Sequence, residues 1–194
     1  MKVTLIYLAA GNSRRFGLNK LLYPIEGRAM YRHLLERLAS ICERHEGWEV
    51  LAVTQYEEIY SEIMSSMEGR PVRVIMSPDS IRGISMSVKA GVRASGDSDA
   101  WAFFVADQPF MKETTAEGFL ETMEREGCEL GCMASGGHLG NPAWFLAEYA
   151  PELLDLAGDR GGKQIIRKYL ERVRLYEAGG EKELLDIDTM SGLL

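Results

Sequence analysis

The segment Val3 to Leu8, VTLIYL, is continuously apolar, rich in β-branched residues and followed at once by a glycine-bearing loop. A strand with one wet face alternates apolar and polar residues, whereas a strand buried on both faces of a parallel sheet does not. A second strongly apolar run, residues 101–106, ends abruptly at Asp107-Gln108-Pro109. The first run therefore predicts a parallel sheet covered on both sides.

Strand-like and helix-like segments alternate along the rest of the chain. At residues 29–44 the apolar side chains repeat at helical spacing, with charged side chains on the other face. The same reasoning predicts strands at 49–54, 72–76, 101–106, 131–135, 143–147 and 174–178, and helices at 56–67, 85–94, 114–126, 148–156 and 162–170. Parallel neighbours need crossovers, which helices supply, so this order predicts a three-layer α/β fold with a mostly parallel central sheet.

The composition limits the possible partners. A chain of 194 residues, 46% of them hydrophobic, is long enough for one well-buried core, which predicts a single domain over residues 1–194. The formal net charge of −7 argues against binding to nucleic acid or a membrane surface, because both need a broad positive face. The N-terminus has neither a spanning segment nor a signal-peptide pattern, so we expect a soluble, cytoplasmic protein.

An anionic ligand must therefore meet a local cluster of cations, and one follows the first strand in the stretch LAAGNSRRFGLNK. The small residues Ala9, Ala10 and Gly11 let backbone amides approach a phosphate chain, and positive charge comes from Arg14, Arg15 and Lys20. The spacing matches neither the dinucleotide G-x-G-x-x-G pattern nor a P-loop. We expect this loop to hold a polyphosphate, with an ordinary turn and solvated cations as the alternative.

Polar residues also follow other predicted strands, where open α/β sheets bind their ligands. Asp107 is placed to hold Mg²⁺ or, alternatively, to cap a helix or turn. Asp186 and Asp188 would share one face of an extended segment, with a solvated acidic turn as the alternative. Ser85 and Ser87 either cap a helix or hydrogen-bond a base or ribose.

The remaining candidates are weaker. The turn from Gly158 to Lys163 precedes a helix and could attract an anion, unless Asp159 is simply its N-cap. His138 is predicted in a loop that could touch substrate, whereas His33 and His45 are predicted to be solvated on the first helix. The three cysteines have no spacing typical of a zinc site and are expected to be idle thiols.

Taken together, these motifs resemble a known family, the nucleotidyltransferases of molybdenum cofactor maturation, and within it the molybdenum cofactor cytidylyltransferases. The residues that carry the resemblance are Leu8 to Gly11 with Arg15, Gly17 and Lys20, then 83–88, 106–110, 140–142, 158–161 and 186–189. They match in order over nearly the whole chain. The tail departs from the family pattern after Thr189, where Met190, Ser191 and Gly192 replace a proline and an acidic pair.

The resemblance implies a Rossmann-like α/β fold that binds a nucleoside triphosphate with Mg²⁺, transfers the nucleoside monophosphate and releases pyrophosphate. The implied acceptor is the terminal phosphate of molybdopterin, and a molybdoenzyme would receive the product. Ala10 and Ser85 are similar to the cytidylyl branch and favour CTP over GTP. The alternatives are GTP, a sugar-phosphate or isoprenoid-precursor acceptor, or a nucleotide-binding module without turnover.

The resemblance also implies a role for individual residues. The catalytic residues would be Arg15, Lys20 and Asp107. Nucleotide would be bound by Leu8, Ala9, Ala10, Gly11, Arg15, Lys20, Asp79, Gly83, Ser85 and Ser87. The acceptor would be bound by Gln108, Gly140, Asn141 and Arg160, and Mg²⁺ by Asp107 and Asp188.

Overall fold

The computed structural model of the chain describes residues 1–11 and 19–187. The strands in these residues are β1 (Val3–Ala9), β2 (Pro24–Ile25), β3 (Arg28–Ala29), β4 (Trp48–Thr54), β5 (Val72–Met76), β6 (Ala100–Val105), β7 (Leu130–Ser135), β8 (His138–Leu146) and β9 (Val173–Glu177). The α-helices are α1 (Met30–Arg44), α2 (Glu57–Ser66), α3 (Ile84–Ala94), α4 (Glu113–Arg125), α5 (Ala150–Asp155) and α6 (Lys163–Lys168). Within these ranges, every helix is too short or too polar to cross a lipid bilayer.

Seven strands form one sheet in the order β5-β4-β1-β6-β8-β7-β9. The first four of these are mutually parallel, β8 runs antiparallel to both β6 and β7, and β9 is parallel to β7. The short strands β2 and β3 form a separate two-stranded ribbon. The predicted mostly parallel sheet is confirmed.

Two hydrophobic cores, one on each face of the sheet, explain the continuous apolar run of β1. Leu5 and Tyr7 belong to the core that also contains α1, α2 and α4. Ile6 and Leu8 point the other way, into the core that contains α3, α5 and α6. Because successive side chains of a strand alternate between faces, β1 can be apolar at every position only when both faces are covered. The predicted three layers are therefore present.

The structure corrects the predictions made for two histidines. His33 is buried rather than solvated, and its Nε2 lies 2.9 Å from the carbonyl oxygen of Ile25. His138 begins β8 and pairs with Ser135, so it lies in a hairpin and not in an irregular loop. The helical pattern of α1 does not reveal the Ile25 carbonyl that contacts His33, and the Gly136-Gly137 turn of a tight hairpin has the composition of the loop predicted to contain His138.

The topology brings candidate residues among those described to one edge of the sheet. The parallel strands β1, β4, β5 and β6 all end at the same edge, where open α/β sheets bind their ligands. The antiparallel register pairs Phe103 of β6 with Ala143 of β8, which brings Asn141 to the carboxyl end of β6. Residues that are far apart in the sequence therefore lie at the same edge of the sheet.

Two helical glycines provide a matched test of packing between these layers. A Cβ at Gly91 in α3 would lie 2.6 Å from Cγ2 of the buried Ile6 and 3.4 Å from Val53. A Cβ at Gly118 in α4 would lie 2.5 Å from the hydroxyl oxygen of Tyr176, but this atom is the far end of a half-buried side chain that can shift. Alanine gains about 1 kcal/mol of helix propensity at either position, but overpacking a core costs about 1–3 kcal/mol. We expect Gly91→Ala to lower the free energy of unfolding by about 1–2 kcal/mol and Gly118→Ala to be neutral or stabilising, as measured by urea denaturation. Equal effects of the two substitutions would contradict this packing.

Candidate active site

The centre of the site is an ion pair between Lys20 and Asp107. Lys20 is only 8% exposed, and its Nζ donates to Oδ2 of Asp107 at 2.8 Å and to the carbonyl oxygen of Ile187 at 3.2 Å. The backbone N–H of Ile187 in turn donates to the carbonyl oxygen of Asp107 at 3.0 Å. These bonds join the exit of the first loop, the end of β6 and the C-terminal segment at one point.

Arg37 of α1 stabilises the loop that carries Asp107. Nη1 of Arg37 donates to the carbonyl oxygens of Pro109 and Met111, at 2.6 and 2.7 Å. Burial and the nearby charge of Asp107 raise the pKa of Tyr7 well above its usual value, so this tyrosine stays neutral. The sequence pattern placed Arg37 only on a polar helix face and gave no sign of this contact.

The carboxylate of Asp107 suits a divalent cation. The helix-capping alternative is wrong, because α4 begins after Lys112 and Asp107 is five residues earlier. One carboxylate oxygen accepts from Lys20, and the side chain is 24% exposed, so a ligand can reach it. Carboxylate oxygens at such an edge are the donors that Mg²⁺ and Mn²⁺ prefer, so the residue fits the metal that the resemblance implies.

A second group of possible metal ligands lies at the opposite edge of the sheet. His45, Glu117 and Glu121 have ligand atoms within 4.8 Å of one another, at the end of α1 just before β4. Arg44 donates to both carboxylate oxygens of Glu117 and lowers its pKa, and His45 stacks on Trp48 at 4.0 Å. This group is therefore an ion-pair network that connects α1 and α4.

Gln108 faces the C-terminal segment. It is 1% exposed, and its Nε2 donates to the carbonyl oxygen of Leu184 at 3.1 Å and to Oδ1 of Asp186 at 2.8 Å. The same segment passes against Gly140, where a Cβ would lie 2.7 Å from Leu184. Two residues predicted to bind the acceptor thus contact the protein's own C-terminal segment.

The loops before α3 and α6 meet at Gly83. Its φ of 130° is one that side-chain-bearing residues rarely adopt, and an added Cβ would lie 2.5 Å from the carbonyl oxygen of Gly158. That same carbonyl accepts from the backbone N–H of Ser85 at 3.2 Å. Close backbone approach therefore requires glycine at position 83. The resemblance had singled out Gly83 for nucleotide binding and gave no sign of this packing role.

The two serines predicted for the nucleotide have different surroundings. Ser87 donates to Ser80 at 2.7 Å, and Ser80 donates to Ser77 at 2.9 Å, so a chain of buried hydroxyls supports the loop after β5. Ser85 is 1% exposed, and its hydroxyl has no hydrogen-bond partner among the described residues. Neither serine caps α3, because its N-cap is Gly83.

Two residues that the sequence analysis missed support the described start of the first loop. Nε2 of Gln55 donates to the carbonyl oxygen of Ala10 at 2.6 Å. The hydroxyl of Tyr56 donates to the carbonyl oxygen of Gly11 at 2.7 Å. Both residues follow the end of β4, so their position after a predicted strand was the available signal. Arg15 and Asp188, predicted for the triphosphate and the metal, lie outside the described residues.

A cavity of about 490 Å³ opens between β1, β6, β8 and the N-terminal ends of α3 and α6. Its apolar wall includes Leu8, Ile84 and Phe103, and its polar wall includes Asn141 and Arg160. The structure therefore brings together three residues of the prediction, namely Leu8, Asn141 and Arg160. Asp79, also predicted for the nucleotide, is exposed and has only a 3.5 Å ion pair with Arg82.

Three cations line this cavity: Arg160, Lys163 and Arg167. In the part of the chain that the structure describes, none of them forms an ion pair, whereas arginines elsewhere such as Arg32, Arg44 and Arg70 pair with glutamates. Burial raises the pKa of the nearby Cys132 thiol to about 11, although Lys163 and Arg167 act in the opposite direction. The cavity thus combines an apolar wall with three cations that form no ion pair among the described residues, although Asp159 also lies in its lining.

Comparison with known proteins identifies the family of the chain. The family described as MobA-like NTP transferase domain matches residues 5–173. The purine catabolism protein PucB of Bacillus subtilis (strain 168) is 28% identical over 192 residues, which cover 95% of this chain and 90% of PucB.

Solved structures share the fold over almost the whole chain. Rv0371c from Mycobacterium tuberculosis H37Rv superimposes with a TM-score of 0.78 at 21% identity and covers 99% of this chain and 96% of its own. The same protein in complex with manganese gives a TM-score of 0.71 at 19% identity, covering 93% and 90%. Mth528, a nucleotidyl transferase from Methanothermobacter thermautotrophicus, gives 0.75 at 23% identity, covering 98% and 94%.

The contact at Gly83 generates a stability test. Replacing Gly83 by alanine adds backbone strain and a clash with a carbonyl, each of which costs about 1–3 kcal/mol, so we expect a loss of about 2–6 kcal/mol. Gly158→Ala is the matched control, because its φ is +61° and a Cβ there meets no atom within 4 Å. The control should lose about 1–2 kcal/mol. Guanidinium denaturation measures both, and a smaller loss for Gly83→Ala than for the control would refute the close approach.

Proposed function

The chain belongs to the MobA-like NTP transferase family and is a nucleotidyltransferase, and we propose that it transfers the cytidylyl group of CTP to the terminal phosphate of molybdopterin, releasing pyrophosphate. The observation that carries the proposal is the pairing of Lys20 with Asp107 at the sheet edge, beside a cavity lined by unpaired cations. A triphosphate with its metal fits the first feature, and an anionic acceptor fits the second.

On the nucleotide side, Gly11, Arg15 and Lys20 hold the triphosphate. Asp107 and Asp188 hold Mg²⁺, which when bound neutralises phosphate oxygens and the charge that develops on the leaving pyrophosphate. When the nucleotide binds, Nζ of Lys20 donates to a phosphate oxygen instead of to Asp107, because the carboxylate of Asp107 is then needed to hold the cation. The manganese complex of Rv0371c supports a divalent metal in a protein of this fold.

On the acceptor side, the cavity suits a ring system that ends in phosphate. Its apolar wall, including Leu8 and Phe103, contacts the ring, and Arg160, Lys163 and Arg167 neutralise the phosphate. Two polyanions at about 4 Å repel each other by roughly 4 kcal/mol per pair of unit charges at an effective dielectric constant of 20. The unpaired cations of the cavity offset this repulsion.

The chemistry requires no strong general base. A phosphate oxygen of the acceptor is already ionised at neutral pH and attacks the α-phosphorus in line with the departing pyrophosphate. The protein therefore contributes positioning and charge neutralisation. For the base, Ala10 and the buried, unpartnered hydroxyl of Ser85 support cytosine over guanine.

A substrate panel tests the proposal directly. Pyrophosphate release is measured with CTP, GTP and ATP, each with molybdopterin, with a sugar 1-phosphate and with an isoprenoid-precursor phosphate. We expect turnover with CTP and molybdopterin. Turnover with GTP or with another acceptor would show that the proposed substrate is wrong. Nucleotide binding without pyrophosphate release from any substrate pair would show that the protein binds nucleotide but is not a catalyst.

Asp107→Asn should abolish most of this activity. Asparagine keeps an acceptor for Lys20 but loses the charge that holds the cation, and removal of such an electrostatic group costs about 10²–10³ in kcat. The matched control is Asp99→Asn at the other end of β6, where the carboxylate accepts from the backbone N–H of Lys2 at 2.7 Å. Pyrophosphate-release kinetics compare the two variants, and unchanged turnover in Asp107→Asn would remove its metal role.

Arg160→Ala should weaken binding of the acceptor and leave binding of the nucleotide unchanged. Loss of a charge-assisted hydrogen bond is worth about 1.5–3 kcal/mol, which corresponds to a rise of roughly 10- to 100-fold in the acceptor KM. Arg93→Ala, on the exposed face of α3, changes the net charge equally and should leave both KM values unchanged. If Arg160→Ala raised the KM for CTP instead, the cavity would belong to the nucleotide.

A further inference from the structure

We propose that Asp159 is a specificity-determining residue of the cavity, whose carboxylate accepts hydrogen bonds from an amino group and an adjacent ring N–H of the acceptor. The ligand class is a phosphorylated nitrogen heterocycle with such a donor edge, of which a pterin phosphate is an example. The inference rests on the proposed function, because it assigns a contact for the part of the acceptor that lies away from the phosphate.

Close packing between two loops fixes the position of Asp159. The carbonyl oxygen of Gly158 accepts from the backbone N–H of Ser85 at 3.2 Å, which holds the start of the 158–163 turn against α3. A Cβ on Gly83 would lie 2.8 Å from Oδ1 of Asp159, so the carboxylate lies beside the first residues of α3. Asp159 and Ile84, the first residue of α3, both line the cavity. The carboxylate is therefore located on the α3 side of the cavity.

The capping role that was the alternative for Asp159 is wrong. The N-cap of α6 is Gly162 and that of α3 is Gly83, and neither helix has a side-chain hydrogen bond at its cap. The second and third amides of α3 donate to backbone carbonyls. In the part of the chain that the structure describes, the Asp159 carboxylate accepts no hydrogen bond, although the nearby N-terminus of α3 favours its negative charge. Its oxygens are thus available to a ligand.

Opposite charges in this cavity are kept apart. Among the described residues, Asp159 forms no ion pair with any of the three cations that share its cavity. Cations that follow in the same stretch do pair, as Lys168 does with Glu152 and Arg172 with Glu129. Asp159 is exposed, so water solvates its charge until a ligand replaces that water. The cavity therefore offers cations and a hydrogen-bond acceptor at separate places.

A ligand that complements both groups carries an anion and a donor edge. An ionised carboxylate has only acceptor sites, so Asp159 would repel a second anionic group but would bind two adjacent N–H donors with its two oxygens. The apolar wall that includes Leu8 and Phe103 suits the face of an aromatic ring. A pterin phosphate has all three features, whereas an isoprenoid phosphate has no N–H donor and a sugar phosphate has no flat apolar face.

Two probe ligands test the donor edge without turnover. Hydroxymethylpterin phosphate has an amino group beside the ring N–H, and hydroxymethyllumazine phosphate has an oxo group in place of that amino group. Loss of a hydrogen bond to a charged group lowers affinity about 10- to 100-fold. We therefore expect calorimetric titration of the wild-type chain to show about 10- to 100-fold tighter binding of the pterin probe than of the lumazine probe.

Asp159→Asn and Asp159→Ala should remove most of this preference. An asparagine amide donates to the oxo group as readily as it accepts from the amino group, and alanine contacts neither, so we expect a ratio below roughly threefold in both variants. Arg160→Ala is the matched comparison, because it should weaken both probes by similar factors and keep their ratio. Asp97→Asn, an exposed residue beyond the other end of α3, changes the net charge as Asp159→Asn does and should change neither affinity.

Steady-state kinetics provide a second measurement of the same contact. Both Asp159 variants should raise the KM of the acceptor about 10- to 100-fold and leave the KM of CTP unchanged, because the lost hydrogen bonds are made to the acceptor alone. Urea denaturation of each variant shows whether the fold is retained, and the preference of the wild-type chain tests the inference without any substitution.

The outcomes separate the inference from the proposed function. Binding of neither probe, equal binding of both by the wild-type chain, or a preference that survives in folded Asp159 variants would overturn the inference. A raised KM for CTP with an unchanged acceptor KM would also overturn it and would assign Asp159 to the nucleotide. If the wild-type chain preferred the pterin probe through Asp159 but released no pyrophosphate with any substrate pair, the proposed function alone would fail.

Discussion

A buried lysine ammonium needs a partner, and this requirement organises the site. Lys20 is almost fully enclosed, and an unpaired charge there would be strongly destabilising. Asp107 supplies the opposite charge and the carbonyl of Ile187 a second acceptor, so three distant segments must converge for the chain to fold. The groups that satisfy this electrostatic requirement are also those proposed to bind the triphosphate and its metal.

The charged side chains of the outer surface differ from those of the cavity in how they are paired. On the outer surface, many arginines pair with glutamates across elements, as Arg44 does with Glu113 and Glu117. Around the cavity the cations carry no described ion pair, although the chain has a net charge of −7. The cavity therefore concentrates three cations in one place, which favours an anionic ligand there without a broad basic surface.

The parts of this account that depend on local pattern were predictable from the sequence. The apolar run of β1 indicated burial on both faces, and Asp107 was identified because it follows β6 directly. Contacts between distant segments were not predictable, since neither the amide direction of Gln108 nor the approach of Gly158 to Gly83 leaves a periodic signal. His33 was mispredicted for the same reason. Its position on the helix predicted a solvent-exposed side chain, but the side chain contacts the carbonyl oxygen of Ile25 in β2, eight residues earlier.

The most direct test of the central claim is a crystal structure of the protein grown with CTP and Mn²⁺, with anomalous scattering used to locate the metal. The account predicts an anomalous peak about 2.0–2.3 Å from a carboxylate oxygen of Asp107, with Nζ of Lys20 turned to a phosphate oxygen. A nucleotide bound away from Asp107, or a metal found only at His45 and Glu117, would contradict it.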